Sequence, residues 1–261
     1  MKYLLTLLLL GSMVAIAQKD DKESLKMKGV YSLNYQMFNN GIKDEVWPTK
    51  QLKIYTEKYV MYTSKLSPTD SLARFGIGTY SFSNNKIMEY FFYTSIGGDL
   101  KDTAELALEK LANGYKQVIV YPPFKDTIYT LTEKYNKVDK APKVSPLDGV
   151  WKLKSSYYIT KDGKKVSSDV HEYKIYQNGY FMWGVGLKDS ATSKNQGYFG
   201  YGTFKINGGT VTEINDNTSF MTALYKKPIT VAIKFLGIDS YMQTIKYPDR
   251  QRGVEIYERL Q

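Results

Sequence analysis

The segment Tyr-x-Gln-x-Ile-x-Tyr-Pro occurs twice in this chain, at residues 115–122 and 241–248. The separation, 241 − 115 = 126 residues, is close to half of the 261-residue chain. Five further blocks line up around this anchor in the same order. Gly29-Val30-Tyr31-Ser32-Leu33 matches Gly149-Val150-Trp151-Lys152-Leu153, and Leu52-Lys53-Ile54-Tyr55 matches Tyr173-Lys174-Ile175-Tyr176. Tyr59-Val60-Met61 matches Tyr180-Phe181-Met182, Phe75-Gly76-Ile77-Gly78-Thr79-Tyr80 matches Phe199-Gly200-Tyr201-Gly202-Thr203-Phe204, and Glu89 matches Glu213. A collinear set of this kind predicts two copies of one domain in tandem. Positions kept in both copies are set by architecture, and positions that differ are where a ligand would be chosen.

Within each copy the texture is β. Tyrosine is abundant, at 24 residues, and Tyr, Phe, Val, Ile and Thr dominate short runs broken by turn residues every 8–12 positions. Turn signals include Asn39-Asn40-Gly41, Lys161-Asp162-Gly163, Gln177-Asn178-Gly179 and Asn207-Gly208-Gly209. The spacing of Leu100, Ala104, Leu108 and Leu111 predicts one short helix over 100–113, stopped by Gly114 and without a counterpart in the second copy. Many short antiparallel strands in about 110 residues fold as a sandwich or a closed barrel.

Family resemblance decides between these two. Gly149-Val150-Trp151 near the start of the second copy resembles the Gly-x-Trp of lipocalins and related calycin barrels, and Arg259 stands near the end of that copy. With the Gly-x-Gly-Thr-aromatic and Tyr-x-Gln-x-Ile-x-Tyr-Pro strands, the chain resembles tandem lipocalin-like domains of exported bacterial proteins. The resemblance implies an all-β protein of two antiparallel barrels, at 28–135 and 147–261, joined by the Pro- and Lys-containing linker 136–146, the first barrel carrying the inserted helix. It also implies that Trp151 plugs the closed end of its barrel under Arg259. The first copy departs from the pattern, and Tyr31 with Lys134 is expected to form a weaker version of the plug.

The first 17 residues have a basic start, an apolar run from Tyr3 to Leu10 and Ala15-x-Ala17, the layout of a cleavable export signal ending near Ala17/Gln18. The run is too short to span a bilayer, for which about 20 residues are needed. Periplasmic or secreted localisation is therefore expected, with no transmembrane segment. Cysteine is absent, which removes thiol catalysis, thiolate metal sites and disulfide staples, so each copy stands on its own packing. The net charge of +10 is scattered rather than gathered into the basic stripe of a nucleic-acid surface, and no nucleic-acid partner is expected.

His171 is the sole histidine. Beside Glu172 and ahead of a strand, it is expected at the surface; no metal or cofactor is predicted. Gly200-x-Gly202 is followed by Lys205, so a phosphate-binding G-x-G-x-x-G fails, and these glycines are expected to let a strand bend. A glycosidase needs two carboxylates roughly 5–9.5 Å apart, whereas only Glu89 and Glu213 recur as an equivalent acid. An enzyme is not expected.

Tyr115, Gln117, Ile119 and Tyr121 share one strand face, as do Tyr241, Gln243, Ile245 and Tyr247. The alternate positions vary between copies, which predicts that the retained face points inward. The candidate ligand-binding interior is thus Tyr241, Gln243, Tyr247, Tyr180, Met182 and Glu213 in the second barrel. Its counterpart in the first is Tyr115, Gln117, Tyr121, Tyr59, Met61 and Glu89. Two readings stay open. Each barrel holds a small apolar or amphipathic ligand, or the interiors are filled and the pair presents a surface to an envelope protein partner.

Overall fold

The computed structural model describes residues 27–65, 73–95, 102–139, 141, 143–168, 170–188, 195–219, 222–247 and 251–261; the export signal expected over 1–17 lies outside them. The first half comprises β1 (Gly29–Asn39), β2 (Asp44–Val46), β3 (Lys50–Tyr55), β4 (Tyr59–Lys65), β5 (Ala73–Ser83), β6 (Lys86–Thr94), β7 (Asp102–Leu111), β8 (Gly114–Val120) and β9 (Thr130–Lys137). The second comprises β10 (Gly149–Ile159), β11 (Lys165–Ser168), β12 (His171–Gln177), β13 (Tyr180–Lys188), β14 (Asn195–Asn207), β15 (Thr210–Thr218), β16 (Pro228–Phe235), β17 (Ser240–Lys246) and β18 (Arg252–Arg259).

Each half is a closed barrel of eight antiparallel strands. Neighbours along the chain pair with one another, β9 returns to pair with β1 and β18 with β10, and β2 and β11 are short arms on the far ends of β1 and β10. The two halves repeat each other in detail. The first strand of each is bulged at the same place, between Leu33 and Tyr35 and between Leu153 and Ser155. A second bulge falls at Gly78 and at Gly202. There a β-carbon would run into the backbone carbonyl of Tyr90 or of Ile214 on the next strand, so the recurrent glycine is a close-approach requirement.

The helix expected over 100–113 is not present; β7 occupies 102–111, and its counterpart in the second barrel is β16. Ala104, Leu106 and Leu108 alternate as well as recur at helical spacing, and as a strand they place three apolar side chains against the first core. Closing the barrel through β7 supplies both neighbours' hydrogen bonds, and this tertiary pairing overrides the local helical pattern.

The barrels pack against each other through the outer faces of β3–β5 and β12–β14. Val30, Leu52, Ile54, Met61 and Phe75 from the first join Val150, Tyr173, Ile175, Met182 and Phe199 from the second in one buried cluster. These are the same five positions in each copy. The contacting strand pairs are β3 with β12, β4 with β13 and β5 with β14, with β4 also touching β14, so that three strands meet their own counterparts much as in an isologous dimer. Gly184 is what allows Phe75 in: a β-carbon there would lie 2.5 Å from the phenyl ring.

The connection between barrels is also tied down. β9 runs to Lys137, so the linker begins later than the sequence suggested. Val138 N donates to Val30 O at 2.9 Å. Asp139 accepts from Val30 N at 2.9 Å and from Asn178 Nδ2 at 2.6 Å, bridging the first barrel to the β12–β13 turn.

Candidate functional site

One end of each barrel is closed by the aromatic of the Gly-x-aromatic strand. Trp151 is fully buried, donates through Nε1 to Leu147 O at 2.7 Å and meets Tyr241 edge-on at 4.8 Å. The Arg259 guanidinium carbon stands 4.1 Å from the centre of its ring, while Nη1 and Nη2 donate to Asp148 O at 2.5 Å and Pro146 O at 3.0 Å. Arg259 crosses the space a β-carbon of Gly149 would fill, at φ +129°; that is the physical content of Gly-x-Trp here. In the first barrel Tyr31 is 2% exposed and its cover is Lys137, with Nζ 6.0 Å from the ring centre, not Lys134. Register explains the correction: Trp151 pairs with Arg259 and Tyr31 with Lys137. Lys134 points outward over Tyr35.

Above each plug lies a buried polar network. In the first barrel, Gln51, Lys53 and Tyr55 alternate along β3 and face inward. Lys53 Nζ lies 3.1 and 3.3 Å from the Glu89 carboxylate oxygens and 3.4 Å from Gln117 Oε1. Glu89 also accepts from Tyr55 OH. Glu133 accepts from Gln117 Nε2, from Tyr135 OH at 3.0 Å and from Gln36 Nε2 at 2.6 Å, and Gln51 Nε2 donates to Tyr135 OH at 2.7 Å. The Tyr115 ring stacks on Tyr135 at 4.9 Å beneath this network.

The second barrel repeats the scheme. Lys174 Nζ donates to Gln243 Oε1 at 3.2 Å, Tyr176 OH to Glu213 Oε1 at 2.8 Å, and Gln243 Nε2 to Glu255 Oε2 at 2.5 Å. Tyr257 OH lies 2.7 Å from Glu255 and 3.0 Å from Glu172, which also stands 3.8 Å from Lys174. Burial, then the adjoining carboxylates, holds the Tyr55, Tyr135, Tyr176 and Tyr257 phenols well above their ordinary pKa, so they remain donors. Burial, then Glu255, pushes the Glu172 carboxyl up to about 8 against the pull of Lys174. Burial alone would lower Lys174, but Glu213 and Glu172 carry it above its ordinary value.

Of the residues singled out from sequence, Glu89, Tyr115, Gln117, Glu213, Tyr241 and Gln243 meet in these interiors. Tyr121 and Tyr247 sit higher, at the open ends, against Phe38 and Tyr158 respectively. Met61 and Met182, with Tyr59 and Tyr180 beside them, belong instead to the contact between barrels. That expectation is corrected: β4 and β13 are covered on both faces, so their apolar residues do not reveal which face is inside. Sequence reasoning passed over Lys53, Tyr55, Glu133 and Tyr135 with their counterparts, and Glu172. The signal was there, in the Lys-Ile-Tyr block kept in both copies within an otherwise apolar run. His171 is exposed at the start of β12. Among the described residues no cluster of three metal-ligating side chains occurs, and no helix is long and apolar enough to cross a membrane.

The open end of the first barrel differs from the plugged end. Phe38 stacks on Trp47 at 4.9 Å and on Tyr129 at 6.0 Å. On the loop between β8 and β9, Phe124 and Ile128 are each more than half exposed. Below this rim, Gln36 Oε1 and Arg74 Nε are buried with no hydrogen-bond partner among the described residues.

Two closed eight-stranded antiparallel barrels in tandem are consistent with tandem lipocalin-like domains. Among solved structures, a lipocalin-like protein from Bacteroides uniformis is similar at 17% identity, with 44% of this chain and 100% of that chain covered and a TM-score of 0.30. A protein of unknown function of the DUF3598 family from Nostoc punctiforme is similar at 13% identity, covering 89% of this chain and 96% of that one, with a TM-score of 0.25. No protein-family profile and no curated protein matches the chain.

Proposed function

We propose that this is an exported, non-enzymatic binding protein that takes a small amphipathic molecule at the open end of its first barrel. The observation that carries this reading is the mouth itself: a stacked Phe38–Trp47–Tyr129 cluster with exposed Phe124 and Ile128 on the β8–β9 loop beside it, over two buried polar atoms without hydrogen-bond partners among the described residues. An apolar body would lie on the rings and rim, and a polar head would reach Arg74 and Gln36, the mix expected of small-molecule sites. The lower interior is filled by the hydrogen-bonded network, so the ligand would sit at the mouth rather than deep in a cup. The same filling argues against catalysis by Glu89 or Glu213, whose carboxylates are buried and already bonded. Export rests on the leader at 1–17.

Trp47 provides the readout. Its emission should change saturably, at one site per chain, with a member of a panel of fatty acids, sterols and haem, and Phe38→Ala should weaken that response. Absence of saturable binding by every amphipath would leave the envelope-interaction reading. One observation favours that second reading: Phe235, Leu236 and Ile238 stand exposed together at the β16–β17 tip.

A further inference from the structure

The two barrels share the lower part of their interiors and differ in the layer above it. Glu172, Val185 and Tyr198 pair side by side across β12, β13 and β14, the row that Gln51, Ser64 and Arg74 occupy in the first barrel. An amide and a guanidinium there become a carboxyl and a phenol. On the closing strands, Gln36 pairs with Glu133 and Ser156 with Glu255. The Gln36 amide donates to Glu133 at 2.6 Å, whereas Ser156 Oγ bonds Ser168 O at 3.2 Å instead. Nearby, Trp183 stands where the first barrel has Tyr62, and Asn215 where it has Phe91.

Four of these exchanges remove a donor or cation from the second interior or add an acceptor to it. Divergence of an idle barrel would give changes of mixed sign. Lys174 is flanked by three carboxyl groups, Glu172, Glu213 and Glu255, whereas the first barrel sets both Lys53 and Arg74 beside Glu89 and Glu133. Without an amide over it, Glu255 is half-buried, while Glu133 is 3% exposed. Glu172 and Glu255 both lie within 3.0 Å of Tyr257 OH. Asn215 is 4% exposed, and its Oδ1 has no hydrogen-bond partner among the described residues. A β-carbon at Gly200 would lie 2.4 Å from Trp183 Nε1 and 2.6 Å from Asn215 Oδ1, so the amide points inward beside the indole. A buried acceptor left unpaired is costly, and a donor from outside would relieve it. Trp183 is half-buried over this interior, and an indole face attracts cations.

We infer that the mouth of the second barrel is a binding site for a small organic ammonium ion, its head held by Glu172 and Glu255, its apolar body on Trp183, and a second donor on that body received by Asn215. Among the described residues no three side chains gather as a metal ion needs, which favours an organic cation that two carboxyl groups can hold. The first barrel carries its own cation at this level in Arg74; the second would take it from the ligand. The site is separate from the mouth of the first barrel and does not depend on the amphipath reading.

Calorimetric titration of the full chain tests it, with tyramine, which carries an ammonium and a hydroxyl donor on one ring, and 4-ethylphenol, its counterpart without the ammonium. Tyramine should bind at one site per chain, and 4-ethylphenol at least ~10-fold more weakly. Tyr198→Arg, which installs the first barrel's guanidinium, should abolish tyramine binding. Phe38→Ala, at the first mouth, should leave it unchanged. No saturable binding of tyramine, equal binding of 4-ethylphenol, binding that survives Tyr198→Arg, or binding lost in Phe38→Ala would each overturn the proposal. If Tyr198→Arg does not fold, Glu255→Gln decides in its place: affinity should fall ~10-fold or more, and an unchanged affinity would refute the site.

Discussion

Gln51 and Glu172 occupy the same position in the two barrels, each facing a tyrosine hydroxyl, and one carries an amide where the other carries an acid. Gln51 Nε2 donates to Tyr135 OH at 2.7 Å, which leaves the phenolic hydrogen for Glu133. In the second barrel, Tyr257 OH faces Glu172 at 3.0 Å and Glu255 at 2.7 Å. One hydroxyl hydrogen cannot serve both. Reproducing the first barrel's pattern requires Glu172 to be protonated and to donate, as Gln51 does. Lys174, Glu213 and Glu255 are the other charged groups around it, and burial together with Glu255 raises its pKa to about 8.

A consequence is an alkaline sensitivity confined to the second barrel. An unfolded glutamate ionises near 4.5, whereas Glu172 in the fold keeps its proton to about 8. Its contribution is therefore fully present below pH 4.5 and lost as pH rises through about 8, since the native state binds the extra proton in that window. Glu172→Gln, which installs the first barrel's chemistry, should flatten this decline and raise the melting temperature more at ~pH 9 than at ~pH 5. Melting curves across that range decide it; an equal shift at both ends would contradict a bound proton.

Trp151→Ala should destabilise the second barrel by about 3–5 kcal/mol, the range for truncating a buried aromatic, because the side chain is fully buried and roofed by Arg259. Urea unfolding followed by far-ultraviolet circular dichroism measures it. An unchanged midpoint would mean that the plug is dispensable.

Much of this architecture was legible in the residues, and the misreadings have physical causes. The repeated blocks locate both barrels because closure of an eight-stranded sheet fixes bulges and plugs at equivalent places. The inward faces of β8 and β17 were readable because their other faces meet solvent and vary. For β4 and β13 the outer faces are buried by the opposite barrel, so Met61 and Met182 read as interior. Lys53 and Lys174 were missed because a lysine in a strand suggests a solvated face, and only the closed barrel reveals the carboxylates and amides that hold it. The sequence pattern points to Lys134 where the cover is Lys137, because the pairing of β1 with β9, which sets their register, is not encoded in local spacing.

The two barrels should unfold together, since the cluster joining them is as buried as either core. Gly184→Val should break that coupling: the added β-carbon alone would lie 2.5 Å from the Phe75 ring. Overpacking of this kind typically costs about 1–3 kcal/mol. Calorimetry should change from one transition to two, with each barrel interior retained. A single transition in the variant would show that the linker contacts through Asp139, rather than the packed faces, couple the halves.

The buried ion pair of the first barrel supplies the last test. Lys53 and Glu89 are 3% and 2% exposed and lie 3.1 Å apart. Lys53→Met removes the cation and strands Glu89 among Tyr55 and Gln117, and breaking a buried pair from one side generally costs about 3–5 kcal/mol. Adding Glu89→Gln removes the stranded charge and keeps an acceptor for Tyr55 OH, so the double variant should regain most of the loss. Urea midpoints of the wild type, both single variants and the double form a thermodynamic cycle. Strong coupling is expected. If the double variant instead loses the sum of the two single effects, the pair does not act as a unit and the network is held by its tyrosines and glutamines alone.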